Sequence, residues 1–261
     1  MPHPDHEKNR ALWNETVDLH YSHPRYRVKE FMEGASSLLP LERQELPDVR
    51  GKKLLHLQCQ FGQDTLSWAR EGAIVTGADI SDQSIKRANE LKALARLEGR
   101  FVRSDILDLI GVIDERFDII YHSYGVLCWL GDVKRLAQVV AHYLKPGGTY
   151  LLIDGHPISY YCMDGAPGYF AKEPERFVGQ PDYCQRDHLN ENEGVEWQHP
   201  VADILNAFIG AGLTIEKVGE YDFSYYPVHE DWIPKGDGYW YPPTGPTPYP
   251  MILLVRVKKP L

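Results

Sequence analysis

Apolar residues recur along the chain at two spacings, one typical of buried strands and the other typical of amphipathic helices. Five short apolar runs predict strands: KKLLHL, AIVTGAD, RFVRSD, FDIIYHSY and TYLLID. The stretches 63–71, 81–98 and 132–144 have helical spacing, and they end at Gly72, Gly99 and the turn KPGG. Strands that alternate with helices of this length predict parallel βαβ units with right-handed crossovers.

The segments on either side of this core follow other patterns. Residues 6–45 have helical spacing in two pieces that separate at His23-Pro24, whereas residues 155–197 are rich in Gly, Pro, Tyr and acidic groups. VADILNAFIGAGL predicts a further helix, and TIEKVGEYDF and MILLVRVKK predict two last strands. We therefore expect an α/β fold with a doubly wound, mostly parallel seven-stranded sheet. The parts of this single expected domain are a helical N-terminal cap (1–50), a cofactor-binding core (51–154), a lid insertion (155–200) and a C-terminal part with an aromatic excursion (201–261).

Composition and charge narrow the classes of function. The net charge of −9 and the absence of a basic run argue against DNA or RNA as a substrate, because phosphate binding requires clustered Lys and Arg. The polar start MPHPDHEKNR does not resemble a secretory signal, and the most apolar windows are too short to span a membrane. Cys59, Cys128, Cys162 and Cys184 contain no C-x-x-C pair, so we expect free thiols in a reducing cytoplasm and no metal site.

Candidate ligand-binding groups follow the first three predicted strands, at the edge where an open parallel sheet binds its ligands. The turn LQCQFGQD retains one glycine, Gly62, so it lacks the G-x-G-x-x-G pattern that grips a pyrophosphate. Asp79 ends the second strand, where a carboxylate can accept ribose hydroxyls, and Asp105 ends the third, where it can accept from an adenine amine. A tight turn or a helix cap also explains each residue alone. The three together predict a nucleoside site.

These residues resemble the core of the class I S-adenosylmethionine-dependent methyltransferases, and more narrowly a bacterial subgroup of small-molecule or uncharacterised enzymes. LLHLQCQFGQDTLSWA stands in place of their glycine-rich turn, VTGADIS in place of the ribose motif, RSDI in place of the adenine motif, and FDIIYHSYGVLCWL and LKPGG in place of later motifs. Gln58 and Gln60 replace the first two glycines of the turn, and His56 replaces the acidic residue that opens it. The resemblance implies the sheet order 3-2-1-4-5-7-6 with an antiparallel strand 7.

The resemblance also implies S-adenosylmethionine as cofactor, with S-adenosylhomocysteine as its product. If the acceptor must lose a proton, a base near the ends of strands 4 and 5 would take it. His156 is the candidate base and Tyr124 is an orienting hydroxyl, although a single His after a strand also has structural uses. The predicted cofactor contacts, which include an N-terminal flap, are Trp13, Tyr26, Gln58, Cys59, Gln60, Gly62, Asp79, Ile80, Ser81, Asp105, Ile106 and Ser123.

Aromatic residues are concentrated in one C-terminal stretch, with eight between Tyr221 and Tyr241. Such rings can wall a pocket for a planar or cationic acceptor. A packed loop that covers a sheet edge or a dimer contact explains the same density. His229-Glu230-Asp231 nearby predicts a solvated loop rather than a metal site, since adjacent residues rarely converge on one ion.

Together these features predict an enzyme that transfers a methyl group from S-adenosylmethionine to an N, O or S atom of a small-molecule acceptor, aromatic or cationic. Two alternatives remain open. A nicotinamide-dependent oxidoreductase also uses a nucleoside-binding α/β sheet, although the missing G-x-G-x-x-G counts against it. A non-catalytic S-adenosylmethionine-binding or assembly protein is favoured by the loss of two glycines from the turn. The sequence predicts neither a nucleic-acid nor a membrane partner, and it leaves the oligomeric state open.

Overall fold

The computed structural model describes residues 3–161 and 168–261. Its α-helices are α1 (Pro4–Ser22), α2 (Val28–Met32), α3 (Pro40–Glu45), α4 (Gln63–Arg70), α5 (Asp82–Ala95), α6 (Val133–Tyr143), α7 (Pro157–Tyr161) and α8 (Val201–Gly210). Polar side chains cap the longer core helices. Ser81 accepts from the Ser84 N–H at 3.0 Å to begin α5, and Asp132 accepts from the Arg135 N–H at 2.9 Å to begin α6.

A mixed sheet of seven strands forms the centre of the fold. Its seven strands and those of two small sheets are, in chain order, β1 (Lys53–Leu57), β2 (Ile74–Asp79), β3 (Arg100–Arg103), β4 (Phe117–Ser123), β5 (Leu144–Gly155), β6 (Glu175–Phe177), β7 (Gly194–Glu196), β8 (Thr214–Tyr221), β9 (Ile233–Pro234), β10 (Trp240–Tyr241) and β11 (Ile252–Lys258). In the large sheet the order is β3-β2-β1-β4-β5-β11-β8, and β11 is antiparallel to both neighbours. This confirms the predicted fold class and order. The pairs β6–β7 and β9–β10 form separate small sheets.

Alternate residues of the central strands bury opposite faces of the sheet. In β5, Tyr150 and Leu152 pack against α6 and α8, while Leu151 and Ile153 pack on the other face with Trp68 of α4. All four β5 side chains are completely buried. Both faces of the central strands are therefore covered, which leaves the carboxyl edge of the sheet as the place for a ligand site.

Helix α1 and the segment before α8 pack together over that edge. The Asn9 side chain donates to the Val195 carbonyl and accepts from the Val195 N–H, both at 2.8 Å. Glu15 accepts from the backbone N–H groups of Glu191 and Asn192 at 2.8 and 3.0 Å. Two regions that are far apart in the sequence therefore form one covering layer.

Two predicted elements differ from the structure. The second helical piece before residue 45 is broken into a 3₁₀ turn (Pro24–Tyr26), α2 and α3, because Arg27 and Gly34 take positive φ angles of 49° and 113° that interrupt a helix. The last core strand is longer than TYLLID, since β5 already begins at Leu144 and includes KPGG. Among the described residues, no helix is long and apolar enough to cross a membrane.

Candidate active site

A cavity of about 1850 Å³ opens at the carboxyl ends of β1, β2 and β4. Gln60, Asp79 and Tyr124, each at or just after one of these strand ends, line its base. Its volume exceeds the roughly 300–1,000 Å³ of a typical small-molecule pocket. One cavity therefore has room for a nucleoside ligand and a second small molecule.

The turn after β1 keeps a glycine-like backbone without the glycines. Gln58 and Gln60 have φ angles of 51° and 49°, in the left-handed region that costs most residues about 1–2 kcal/mol. The Gln58 side chain contacts the His122 ring, with Oε1 2.6 Å from Nε2, and the Gln60 side chain donates to the Tyr26 hydroxyl at 3.2 Å. Backbone strain at a ligand-binding edge is a common sign of a functional site.

Asp79 ties this turn to the second strand. Its carboxylate accepts from the Gln60 and Ser81 N–H groups, each at 2.8 Å. Burial raises the pKa of Asp79 to about 6, against the opposing effect of these donors. Ser81, which lines no part of the cavity, caps α5 and donates to Asn14 at 2.7 Å. Asp79 itself faces the cavity, so helix capping does not account for it.

Asp105 also faces the cavity, and it has a partner that the sequence did not reveal. One carboxylate oxygen accepts from the Leu107 N–H at 2.9 Å, and the other lies 2.6 Å from His6 Nδ1. His6 Nε2 accepts from the Gly131 N–H at 3.2 Å, so Nδ1 carries the proton and donates to Asp105. His6 lies on α1, 99 positions away, and nothing in its local pattern distinguishes it from other polar helix residues.

The N-terminal flap contributes the aromatic residues predicted to lie over the cofactor. Trp13 and Tyr26 both line the cavity. The Trp13 ring meets Trp129 edge-on at 5.2 Å, and the Tyr26 ring packs on Phe61 at 5.0 Å. Burial raises the pKa of the Tyr26 hydroxyl to about 12, so that group stays protonated and can hydrogen-bond at neutral pH.

The remaining predicted contacts divide into two groups. Cys59, Ile80, Ile106 and Ser123 line the cavity. Gly62 does not, because it packs beneath α5, where an added Cβ would lie 2.6 Å from the Phe101 ring. The position therefore requires glycine for packing as well as for its φ angle of 77°.

The structure separates the two predicted catalytic residues. Tyr124 lines the cavity and donates from its hydroxyl to Glu42 Oε2 at 3.1 Å. His156 lies outside the lining: its backbone N–H bonds the Met251 carbonyl at 2.8 Å, and its Nε2 lies 3.0 Å from Glu220 on the other side of the sheet end. Because pairing with β11 turns His156 away from the cavity, the geometry does not support it as the base.

Glu42 is a buried carboxyl group that the sequence analysis missed. It is 0% exposed, and Oε1 accepts from the Leu39 N–H at 3.2 Å and from the Tyr121 hydroxyl at 3.1 Å. Burial, and next the nearby Asp64, raise the pKa of Glu42 to about 8. In the sequence LERQE it resembles an ordinary exposed helix residue, so no local signal reveals it.

The aromatic segment serves both of the roles considered for it. Tyr225, Tyr226 and Trp240 line the cavity, and the Tyr225 ring lies 4.5 Å from that of Tyr124. Phe223 instead packs over the sheet beside Tyr221, at 5.2 Å. The residues of this segment that line the cavity therefore follow directly after residues that pack on the sheet.

The described cysteines Cys59, Cys128 and Cys184 are free, and Cys162 lies outside the described residues. Among the described residues, the one group with metal-ligand spacing is His20, Asp182 and Cys184, rather than the His229 segment. His20 Nε2 is already 2.8 Å from an Asp182 oxygen, and burial raises the pKa of the Cys184 thiol to about 11. A protonated thiol beside a satisfied hydrogen bond is a poor cation site.

Comparisons with known proteins agree with this geometry. Residues 55–152 match the family model described as a methyltransferase domain. A ubiquinone biosynthesis O-methyltransferase of Coxiella burnetii is 31% identical over 146 residues, which span 55% of this chain and 60% of that protein. An S-adenosylmethionine-dependent methyltransferase from Mesorhizobium loti has a similar structure, with a TM-score of 0.57, 24% identity, and coverage of 87% of this chain and all of the other. Magnesium protoporphyrin IX methyltransferase from Synechocystis, solved with bound S-adenosylhomocysteine, gives a TM-score of 0.56 at 15% identity over 98% of this chain and 99% of the other.

Proposed function

We propose that this chain, which belongs to the class I S-adenosylmethionine-dependent methyltransferases, transfers the methyl group to a small aromatic acceptor held in the same cavity as the cofactor. The observation that carries the proposal is the continuity of the cavity. It runs from the carboxylates Asp79 and Asp105 to the rings of Tyr124, Tyr225 and Trp240. The proposed nucleoside-binding edge and the aromatic residues thus face one continuous cavity.

The residues at the sheet edge fit the cofactor. Asp79 would hold the ribose hydroxyls, Asp105 the adenine amine, and the backbone of the turn at Gln58 and Gln60 the methionyl part. The fit rests on two features of this chain: both carboxylates face the cavity, and both glutamines keep the backbone conformation that glycine would take. When bound, S-adenosylmethionine supplies a methyl group that its sulfonium has already activated.

The protein then has to orient the acceptor and exclude water. The rings of Trp129, Tyr225 and Tyr226 form an apolar wall against which a planar molecule can stack. The Tyr124 hydroxyl is the polar group placed to contact an acceptor heteroatom, a role we propose for it as an orienting residue. The resemblance to an O-methyltransferase supports oxygen as the atom methylated.

We also propose that the whole chain acts as one methyltransferase domain. The contacts of α1 with Val195 and of α3 with Tyr239, whose hydroxyl accepts from the Leu41 N–H at 3.0 Å, support a single unit around one cavity. The free thiols at Cys59, Cys128 and Cys184 support a cytoplasmic location.

Two measurements test the proposed function. Isothermal calorimetry should detect S-adenosylhomocysteine binding, and mass spectrometry should detect addition of one methyl group to members of a panel of small phenols, carboxylic acids, amines and thiols. Binding of NADH without S-adenosylhomocysteine would instead indicate an oxidoreductase. Cofactor binding with no product from any member of the panel would favour a non-catalytic binding protein.

A further inference from the structure

Glu42 is the buried titratable group in this molecule that most needs an explanation. Its carboxyl group is 0% exposed, and it forms no ion pair with any Lys, Arg or His of residues 3–161 and 168–261. A buried carboxylate without a cation is costly, so such a group beside a cavity is a candidate for a role in the site. The partners of Glu42 are hydrogen-bond donors: one backbone N–H and the hydroxyls of Tyr121 and Tyr124.

The surroundings of Glu42 favour a group that exchanges a proton. Asp64 on α4 adds a second nearby negative charge, and it accepts from the Ser37 hydroxyl. Tyr121 approaches from β4 and Tyr124 from the residue just after it. Tyr239 approaches from the aromatic segment, and His56 of β1 lies with its ring 4.7 Å from that of Tyr121, tilted by 49°. Burial lowers the pKa of His56 to about 3, so it is neutral and supplies no positive charge.

Tyr124 connects this buried carboxyl group to the cavity. Its ring lines the cavity beside Tyr225, while its hydroxyl donates to Glu42. Its backbone has a φ angle of 55°, and the turn that follows is fixed by Asp154, which accepts from the Leu127 N–H at 2.9 Å and from the Gly125 N–H. Burial raises the pKa of the Tyr124 hydroxyl, so this group stays protonated at rest and can pass its proton to Glu42 while it takes another from the cavity side.

We propose that Glu42 accepts, through the Tyr124 hydroxyl, the proton that an aromatic hydroxyl acceptor loses on methylation. The proposal rests on the proposed function and adds the acceptor class and the path of the proton. Glu42 acts through Tyr124 and does not touch the acceptor.

The proton transfer balances within residues of this chain. The acceptor O–H bond breaks, its proton passes to the Tyr124 oxygen, and the proton of Tyr124 passes to Glu42 Oε2. The acceptor oxygen keeps the electron pair with which it bonds the methyl group. Glu42 ends protonated, and after the product leaves its proton returns through the Tyr124 hydroxyl to water in the cavity. A base with a pKa near the working pH is the most effective, and a value of about 8 meets that condition.

The first test uses the chromophoric phenol 4-nitrocatechol with the protein loaded with S-adenosylhomocysteine. Absorbance reports whether the bound phenol has lost its proton, without any turnover. We expect the bound probe to ionise at a lower pH than the free probe, because Glu42 is protonated there and the chain from Glu42 through the Tyr124 hydroxyl donates a hydrogen bond to the phenolate. Two variants should remove that shift. Glu42→Gln keeps the size of the side chain and an acceptor oxygen but cannot ionise, and Tyr124→Phe removes the hydroxyl that contacts Glu42.

The second test follows the rate of methyl transfer to unsubstituted catechol against pH, because catechol, unlike 4-nitrocatechol, still carries its proton where Glu42 ionises. The wild-type rate should rise with pH and level off above about 8, as Glu42 ionises. Glu42→Gln should lose about 100-fold in kcat and the pH dependence with it. Glu45→Gln is the matched control, since Glu45 lies on the same helix and is also buried but pairs with Lys217 and Arg256.

Each outcome decides the proposal. A probe shift and a pH profile that vanish in Glu42→Gln and Tyr124→Phe but persist in Glu45→Gln support it. A wild type that binds S-adenosylhomocysteine yet leaves the probe spectrum unchanged, or a Glu42→Gln protein that keeps the wild-type shift, overturns the relay and leaves the methyltransferase function standing. A wild type that does not bind S-adenosylhomocysteine overturns the proposed function and the relay together.

Discussion

The cavity has two unlike sides. The sheet edge, formed by the turn at 58–62 with Asp79 and Asp105, presents strand ends and their carboxylates. The cover, formed by residues 6–43, 180–196 and 225–240, presents aromatic rings and side-chain hydrogen bonds between distant segments. On the sheet edge, backbone topology fixes where a functional group lies. On the cover, a residue acquires its role only from what folding brings beside it.

The difference is clearest where the two sides meet. Asp79 takes its hydrogen bonds from neighbouring backbone, whereas Asp105 shares one oxygen with His6 of the cover. Glu42, on the cover, is held by two hydroxyls from β4. The sheet edge therefore contributes groups that strand ends place, and the cover contributes groups that long-range contacts place.

The largest predicted effect concerns the stability contributed by Glu42. A carboxyl whose pKa rises from 4.5 to about 8 on folding stabilises the protein most below 4.5, and this contribution is lost as pH rises through about 8. Glu42→Gln does not ionise at this position. Between pH 4.5 and pH 9 the free energy of unfolding of the wild type should therefore fall by roughly 3–5 kcal/mol relative to that of Glu42→Gln. Urea unfolding at the two pH values measures this. The same pH dependence of stability in both proteins would contradict a raised pKa for Glu42.

The next effect tests the sheet edge. Asp79→Asn removes the charge that bonds two backbone N–H groups and, by our proposal, the ribose, so S-adenosylhomocysteine should bind about 100-fold more weakly. Calorimetry measures the affinity. Asp82→Asn is the control, because Asp82 is an exposed residue three positions away that pairs with Arg10. Equal losses in the two variants would contradict a specific role for Asp79.

A smaller effect tests the link between the two sides. His6→Leu removes the donor to Asp105 and leaves the Gly131 N–H unpaired, so S-adenosylhomocysteine binding should weaken about tenfold, or 1.4 kcal/mol. His3→Leu, with its ring 5.0 Å from that of His6, should change the affinity little. If His6→Leu binds S-adenosylhomocysteine as tightly as the wild type does, the contact of His6 with Asp105 does not contribute to binding of the adenine.

The two sides also differ in how far they follow from the sequence. Strand periodicity and the positions of Asp79 and Asp105 predict the sheet edge, because the ends of parallel strands meet at one edge whatever surrounds them. His6 and Glu42 were missed because each lies in an ordinary helical pattern. Their partners are 99 and 82 positions away, and no local rule encodes such a distance.

His156 is the reverse case: the sequence favours it as a site residue, but in the structure it does not line the cavity. Its position just after β5 made it a candidate, yet the register of β11, which pairs Ile252 with Gly155, turns the next residue toward Glu220. The sequence places His156 just after β5, as the structure does, but it does not give the direction of the side chain. Gln58 and Gln60 gave a third outcome: the residues differ from the expected glycines while the backbone conformation is retained.

The smallest predicted effect separates backbone strain from side-chain contact at Gln60. Gln60→Gly relieves a φ angle of 49° but loses the side-chain bonds to the Tyr26 hydroxyl and to His20 Nδ1, at 3.2 and 3.1 Å. Arg96→Gly is the matched control, because Arg96 has a φ angle of 53° at the end of α5 and should gain about 1 kcal/mol in the free energy of unfolding. We expect Gln60→Gly to change that free energy by less than about 1 kcal/mol, since the lost hydrogen bonds offset the relief. A gain equal to that of Arg96→Gly would mean that the two bonds contribute nothing. The glutamine would then be a tolerated substitute for glycine, and not the residue through which the sheet edge holds the cover in place.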